Sequence, residues 1–479
     1  MESQQCFRYK QILKANTHFL TGFKMKKSFL ITALFAAITC CANVSQAFAG
    51  QSDLIEACKQ KNFQKCAELT TALLDDFDYD NALKYAKMAC DLGDGASCAT
   101  AGDILANQSG DDNGGKVFKE ANTYYLKSCE LKSGAGCTAA GLNYEQGKGI
   151  EPDYTKAAQY FKQACDLKDP QGCFNMGRMY SIGVGGKQDH PKAIEFLKRA
   201  CDLKDAKSCA SVGVYIYNGT GIKQNFKEAS KYFNKSCDLN NNTGCTYAGL
   251  MYENGEGVKK DYAKAYQYFD KACNLNVMDE PNSDACYMLG QYNQLGKGGR
   301  KNETKAAEIY TKGCDFNDGR SCGALASLHF NKVTTRKSPE AFEAFKYATK
   351  GCEQNDGQSC IVLGLIYYNG LTGGFDTFKA FELFKRACDL NNPQGCIYAG
   401  NSTASGTGTI QNLTKAFEFI KKSCDLNSPE GCYEMGTYYH GGNGVKQSYK
   451  LAKECYRKSC DLNYQKGCDS LKQLNTRGY

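Results

Sequence analysis

A pair of cysteines eight positions apart returns along this chain at a fixed spacing, and no other feature limits the fold as tightly. The first cysteines of successive pairs, Cys129, Cys165, Cys201, Cys237 and Cys273, stand 36 residues apart. The series resumes at Cys352, Cys388, Cys424 and Cys460 with the same step; it stretches to 41 and 38 around Cys314 and is 39 before Cys129. Self-similarity with a period of about 20–50 residues marks a repeat array. A chain of 479 residues would otherwise divide into about two to four globular domains. A repeat array instead grows in one dimension.

Twenty-eight cysteines, with only four histidines and no tryptophan, raise the question of compartment. In a reducing cytosol so many thiols would need metal; in an oxidising compartment they form disulfides. The segment "MKKSFLITALFAAITCCANVSQAFAG" bears on this. It starts at Met25 with Lys26 and Lys27, runs apolar from Phe29 to Cys41, and ends in Ala47-Phe48-Ala49. These are the three parts of a secretory signal peptide, with cleavage expected after Ala49. Residues 1–24 read as an upstream extension, with Met25 as the initiator. Cys40 and Cys41 follow Ala37-Ile38-Thr39, a poor match to a lipidation site, so simple export is the expectation. Six Lys/Arg and one acidic residue lie in 1–49, which leaves 53 basic against 50 acidic residues beyond it. That balance is no nucleic-acid footprint. No later apolar run is long enough to span a membrane.

Each repeat reads as two helices. In "DYTKAAQYFKQACDL", Tyr154, Ala157, Ala158, Phe161, Ala164 and Cys165 share one helical face, with Asp153 as N-cap. "DYAKAYQYFDKACNL" from Asp261 and "TKAFEFIKKSCDL" from Thr414 repeat the pattern. The other helix opens near the second cysteine, as in "CFNMGRMYSIG", "CTYAGLMYENG" and "CIVLGLIYYNG". Four residues after that cysteine stands Gly102, Gly141, Gly177, Gly213, Gly249, Gly290, Gly364, Gly400 or Gly436, with Ala326 the substitute. A glycine inside a helix costs about 1 kcal/mol. Its recurrence predicts a close approach by the neighbouring helix. Glycine-rich turns such as "GVGG" and "GEGV" then end the helix.

"KAAQYFKQACDLKDPQGCFNMGRMYSIGVGG" resembles a Sel1-like repeat, a TPR-related αα-hairpin. The added cysteine pair makes the chain similar to the Helicobacter cysteine-rich protein family of secreted bacterial proteins. The resemblance covers residues 52–470. The stretch 103–120 departs from it and is expected to form a looser connection with a weakened helix, and 474–479 departs as well.

Twelve cysteine pairs can be drawn. Eleven share the eight-residue step: Cys58 with Cys66, Cys90 with Cys98, Cys129 with Cys137, Cys165 with Cys173, Cys201 with Cys209, Cys237 with Cys245, Cys314 with Cys322, Cys352 with Cys360, Cys388 with Cys396, Cys424 with Cys432 and Cys460 with Cys468. The pair of Cys273 with Cys286 carries a five-residue insertion. One member ends a helix and the other opens the next, so antiparallel packing brings their Cβ atoms into bridging range. Zinc sites favour close-spaced pairs, and the chain has no C-x-x-C and no C-x-x-C-H. Disulfide staples are therefore expected. Cys455 is left over, where other repeats carry Tyr124, Tyr160, Tyr232 or Tyr268. It reads first as a small buried side chain and second as a thiol for an intermolecular bridge.

"GRSCG", Gly319–Gly323, matches the nucleophile elbow G-x-S-x-G, but that motif works on a strand-to-helix turn and here it falls between two helices. The family resemblance implies β-lactam binding and a β-lactamase, hence hydrolase, activity. The S-x-x-K and S-D-N motifs of serine β-lactamases are absent, and Lys132-Ser133-Gly134 is an isolated turn. His190, His329 and His440 lie in different repeats and His18 in the leader, so no catalytic or metal-binding constellation and no cofactor is expected.

The expected fold is all-α: a right-handed αα-hairpin solenoid of about eleven Sel1/TPR-like repeats over 50–479, stapled by disulfides. The expected function is a secreted or periplasmic scaffold binding a peptide, a protein of host or cell envelope, or a cell-wall-derived ligand on its concave face. By analogy with TPR arrays the first helix of each unit lines that face, with Asn143, Asn175, Arg178, Tyr247 and Glu434 as exposed candidates for ligand contact. The alternative, carried by resemblance alone, is a β-lactamase binding a β-lactam or peptidoglycan fragment. An envelope-assembly adaptor is a third reading.

Overall fold

The computed structural model describes residues 51–108, 114–275 and 282–477. The leader at 25–49, the extension before it and most of the insertion between Cys273 and Cys286 lie outside the described residues. The described residues form helices and turns only, in two compact units that divide between Asn225 and Phe226. The first unit runs α1 (51–59), α2 (Phe63–Asp75), α3 (Tyr79–Asp91), α4 (Gly95–Gln108), α5 (Gly114–Glu130), α6 (Gly134–Gln146), α7 (Tyr154–Asp166), α8 (Pro170–Ile182), α9 (His190–Asp202) and α10 (Ala206–Asn218). The second runs α11 (Phe226–Asp238), α12 (Asn242–Asn254), α13 (Tyr262–Asn274), α14 (Ser283–Leu295), α15 (Glu303–Asp315), α16 (Gly319–Phe330) and α17 (Pro339–Glu353). It continues with α18 (Gly357–Asn369), α19 (Thr377–Asp389), α20 (Pro393–Ser405), α21 (Leu413–Asp425), α22 (Pro429–Gly441), α23 (Tyr449–Asp461) and α24 (Gln465–Thr476). Odd-numbered helices close on a first cysteine and even-numbered ones open on a second.

The turn between an odd and an even helix follows from four residues. After Cys165, Leu167 caps α7, Lys168 turns into the left-handed region (φ 64°), and the Asp169 side chain accepts from the backbone of Gln171 and Gly172 to start α8. Asn240, Asn355, Asn391, Asn427 and Asn463 take the same left-handed place elsewhere, a conformation asparagine tolerates better than most residues.

A disulfide crosses this turn at every expected pair. In the first unit Cys58 is bonded to Cys66, Cys90 to Cys98, Cys129 to Cys137, Cys165 to Cys173 and Cys201 to Cys209. In the second, Cys237 is bonded to Cys245, Cys273 to Cys286, Cys314 to Cys322, Cys352 to Cys360, Cys388 to Cys396, Cys424 to Cys432 and Cys460 to Cys468. Their Cα–Cα distances are 4.3–4.7 Å. The insertion before Cys286 leaves that distance unchanged, at 4.7 Å. All of these cysteines are buried except Cys460 and Cys468, which are half-buried. Such proximity requires small residues beside the bridge. A Cβ on Gly395 would fall 2.5 Å from the Ala387 Cβ, and one on Gly467 2.5 Å from the Ser459 hydroxyl.

Midway along most even helices the packing runs through the recurrent glycine. A Cβ on Gly141 would meet the Phe161 ring at 2.6 Å, and one on Gly436 the Tyr456 ring at 2.5 Å. The close approach expected from sequence is thus made by a large side chain of the following odd helix. Beyond it an aromatic pair joins the same two helices, as in Tyr144–Tyr160, Tyr180–Phe196 and Tyr252–Tyr268, with ring centroids 5.5–5.7 Å apart. Lys156, Lys192 and Lys264 lie over the first ring of each pair. Within each unit, an even helix also touches the next even helix, as α6 does α8 and α18 does α20, so even helices form one layer and odd helices the other.

The weakened helix expected over 103–120 needs correction. α4 continues to Gln108, and α5 is 17 residues long where the other odd helices from α3 onward have 13–15, so helix fills both flanks of 109–113. Residues 109–113 themselves lie outside the described residues.

Candidate functional site: the layer of even-numbered helices

The residues expected to line a binding face are mostly engaged inside the layer. Asn143 is buried, and its amide donates to the Asn122 oxygen at 2.6 Å; Asn122 in turn donates to the Lys148 carbonyl at 2.8 Å. It ties α6 and the turn after it to α5. Asn175 is also buried, and its amide nitrogen has no partner. Arg178 on α8 donates to both carboxylate oxygens of Glu145 on α6, at 2.7 and 2.5 Å. In the second unit Tyr247 stacks on Phe233, with centroids 4.8 Å apart and planes at 9°. The expectation of exposure is therefore wrong for Asn143 and Asn175, and Arg178 is held in an ion pair. The cause is that an even helix meets the next even helix, so side chains two to eight residues past the second cysteine reach a neighbouring repeat before they reach solvent.

Glu434 on α22 is different. Burial pushes its carboxyl up to about 7; the nearby Glu430 carboxylate adds to the rise, and a hydrogen bond from Asn401 on α20 opposes it. One of its carboxyl oxygens is buried without a partner. Near neutrality this carboxyl is therefore partly protonated and can donate as well as accept.

None of the motifs that mimic catalysis is placed to react. Ser321 of "GRSCG" is fully buried in the first turn of α16, and its hydroxyl donates to the N-cap Asp318 at 2.5 Å. Its neighbour Cys322 is spent in the bridge to Cys314. Ser133 is the N-cap residue of α6. His190 lies against Tyr215, His329 stacks on Tyr347 and His440 packs on Tyr449. Among the described residues no three His, Cys, Asp or Glu side chains are grouped as metal ligands. Cys455 is buried, and burial pushes its thiol up to about 11, with the Glu454 carboxylate adding to the shift. It is packed as a small apolar side chain.

An open pocket of about 250 Å³ lies between α18 and α20. Leu365 and Tyr368 of α18, Phe384 of α19 and Tyr398 of α20 supply its apolar lining; Asn401, Ser402, Ser405 and Thr407 supply polar atoms. Phe384 and Tyr398 stack at 4.9 Å beneath it. Sequence reasoning missed this site, although its signal was there. The run Asn401-Ser402-Thr403-Ala404-Ser405 stands where α18 carries Leu365-Ile366-Tyr367-Tyr368-Asn369.

Comparison with known proteins gives four findings. The Sel1 repeat family model matches residues 78–94, 135–169, 170–205, 206–241, 243–277, 283–315, 335–356, 357–392, 393–428 and 429–464. A curated Helicobacter pylori protein, β-lactamase HcpA, is 48% identical over 42 residues, and the match spans 9% of this chain and only 17% of that relative. Among solved structures, a protective antigen of uropathogenic Escherichia coli with an SLR fold aligns at a TM-score of 0.70 with 22% identity, covering 89% of this chain and 90% of that one. Helicobacter pylori cysteine rich protein B is 37% identical over 29% of this chain and 96% of its own, at a TM-score of 0.24. The likeness to the antigen is one of fold.

Proposed function

The chain belongs to the Sel1 repeat family, and from that premise we propose that it is an exported scaffold that binds a polypeptide or cell-wall-derived ligand on its layer of even-numbered helices. One observation carries the reading. A pocket with an apolar floor and a polar rim opens on that layer between α18 and α20, where neighbouring repeats are packed. Ligand sites characteristically combine an apolar wall with a few convergent polar groups. Export rests on the leader at 25–49 and on the twelve disulfides, which suit a periplasmic or extracellular setting; the mature chain, 50–479, would begin at Gly50, which N-terminal sequencing of the exported form tests. No helix among the described residues is long and apolar enough to cross a membrane.

The test is a photo-crosslinking side chain at Tyr368, in the pocket wall, against one at Glu382, exposed on α19. Incubation with envelope fractions and culture medium should give a discrete adduct, identified by mass spectrometry, from position 368 alone. Equal adducts from both positions, or none from either, refute the scaffold reading. β-Lactam hydrolysis is the rival that the relative's name supplies, and no side chain at the site favours it. Purified protein is expected to show no turnover of a chromogenic cephalosporin; turnover abolished by a point substitution in this chain would replace the scaffold reading.

A further inference from the structure

The position six residues past the second cysteine has a regular job in this fold. In several repeats its side chain enters the gap between its own even helix and the one before, whereas Asn143, at that place in α6, bonds to Asn122 of α5. In the first unit Tyr215 of α10 reaches Ser181 of α8, hydroxyl to hydroxyl. In the second, Tyr292 of α14 is fully buried beside Glu253 of α12, and Tyr438 of α22 belongs to the core cluster against which Ala404 of α20 packs. Elsewhere Met179 and Ile366 fill the place. From α4 to α24, α20 alone has a small residue there, Ser402.

The pocket occupies the gap that this substitution opens. It is lined by Ser402 itself and by Tyr368, which stands eight residues past its cysteine on α18, the place held by Ser181 and Glu253 in the tyrosine-filled gaps. Ser402 is more than nine-tenths buried and lines the pocket, so its hydroxyl can meet an occupant there. A hydroxyl in an otherwise apolar wall favours an occupant that can hydrogen-bond to it over one that cannot. We propose that the α18–α20 pocket receives a tyrosine side chain carried by a partner polypeptide, its ring on Leu365, Phe384 and Tyr398 and its hydroxyl at Ser402.

Size, chemistry and surroundings agree on this occupant. An apolar cavity of about 150 Å³ admits benzene, so about 250 Å³ has room for a phenol ring. The floor is aromatic, which suits a ring. The carrier is a polypeptide because the apolar surface continues outside the pocket. The loop that supplies Thr407 carries Ile410, 87% exposed, and its Gly408 rests on Thr377 at the start of α19, next to Phe378, 68% exposed. Residues flanking the tyrosine would cover them. This inference rests on the scaffold reading for its partner, whereas the receptor itself is testable without one.

The experiment uses the full exported chain and defined probes, p-cresol, toluene, N-acetyl-tyrosinamide and a capped Ile-Tyr-Ile tripeptide, followed by saturation-transfer NMR and calorimetry. p-Cresol should bind saturably and more tightly than toluene. Ser402→Tyr, which fills the gap from within, should weaken p-cresol at least tenfold and raise the melting temperature. Ser402→Ala should weaken p-cresol and leave toluene unchanged. The tripeptide should bind at least fivefold tighter than N-acetyl-tyrosinamide. No saturable p-cresol binding, toluene binding as tightly as p-cresol, or p-cresol binding unchanged in Ser402→Tyr would each overturn the proposal. Should Ser402→Tyr fail to fold, Ser402→Leu must abolish p-cresol binding instead. A tripeptide no tighter than N-acetyl-tyrosinamide overturns the polypeptide part. Probe binding as expected, with no crosslink from position 368, places the failure in the scaffold reading and not in the receptor.

Discussion

Removing one staple should loosen one seam and leave distant hairpins alone. Cys165 and Cys173 are both buried, and their bridge closes a loop of nine residues between α7 and α8. In the chain-entropy model, closing such a loop contributes about 2.6 kcal/mol. Since 1.36 kcal/mol is a factor of ten, Cys165→Ala with Cys173→Ala should lower the protection of the α7 and α8 amides by about 80-fold. Hydrogen exchange is the suitable assay, because stability in a repeat array is a sum of local and nearest-neighbour terms and a single global midpoint would average them. The amides of α24 should keep their protection. The bridge from Cys273 to Cys286 closes a longer loop, with its ends thirteen positions apart, and the same model gives about 3 kcal/mol and a correspondingly larger loss there. A loss below about fivefold at α7 and α8, or one spread evenly to α24, would refute the account of the bridges as local staples.

Three further outcomes are expected. Glu434 has a folded-state pKa of about 7, above its ordinary value, so between those two values the native state holds the extra proton; stability falls as pH rises through that window and is flat above it. Urea unfolding from pH 4 to 8 should show that slope, and Glu434→Gln should flatten it and raise stability at pH 8 by on the order of 1 kcal/mol. Ser321→Ala should cost about 1 kcal/mol through its lost hydrogen bond to Asp318, while any cephalosporin turnover is unchanged by it; a matched loss of turnover would make Ser321 a nucleophile after all. Lys168→Gly should stabilise by about 0.5 kcal/mol, since relief of the left-handed strain (φ 64°) outweighs the added freedom of the unfolded chain; a loss in thermal melts would mean that Lys168 makes a compensating contact.

The fold was legible because its determinants repeat. A helical face such as Tyr154–Cys165, the N-cap Asp153 and the glycine four past each second cysteine recur often enough to exclude chance, and the glycine's packing role could be deduced from its cost alone. A basic residue two positions before most first cysteines is an equally visible signal. Arg199 and Lys271 donate to the carbonyls of Cys165 and Cys237 one repeat earlier, and Lys127 pairs with Asp91. These cations sit at helix C-termini, where they are favoured. The site was less legible because burial on the even helices is decided by the next repeat. Asn175 and Arg178 would be exposed in an isolated hairpin; one is buried and the other paired because α6 lies beside α8. At Ser402 the informative signal is missing bulk, which shows only when repeats are compared position by position.

The staples and the pocket are physically connected. Replacing a large side chain by a small one in a packed interior usually lets neighbours relax into the gap, and the energetic cost depends on how far they can. Around Ser402 they are restrained. The Cys352–Cys360 and Cys388–Cys396 bridges tie α17 to α18 and α19 to α20. Phe384 is locked against Gly364, where a Cβ would lie 2.6 Å from its ring. Closing the gap would require α18 and α20 to approach, and both are fixed at their first turns by a disulfide and an N-cap, Asp356 and Asn392. A fold held this firmly at one end of each even helix can keep a side chain's worth of space open at the other. Covalent rigidity in this chain therefore does more than offset the small core of a hairpin: it lets one repeat carry a vacancy that a softer array would fill.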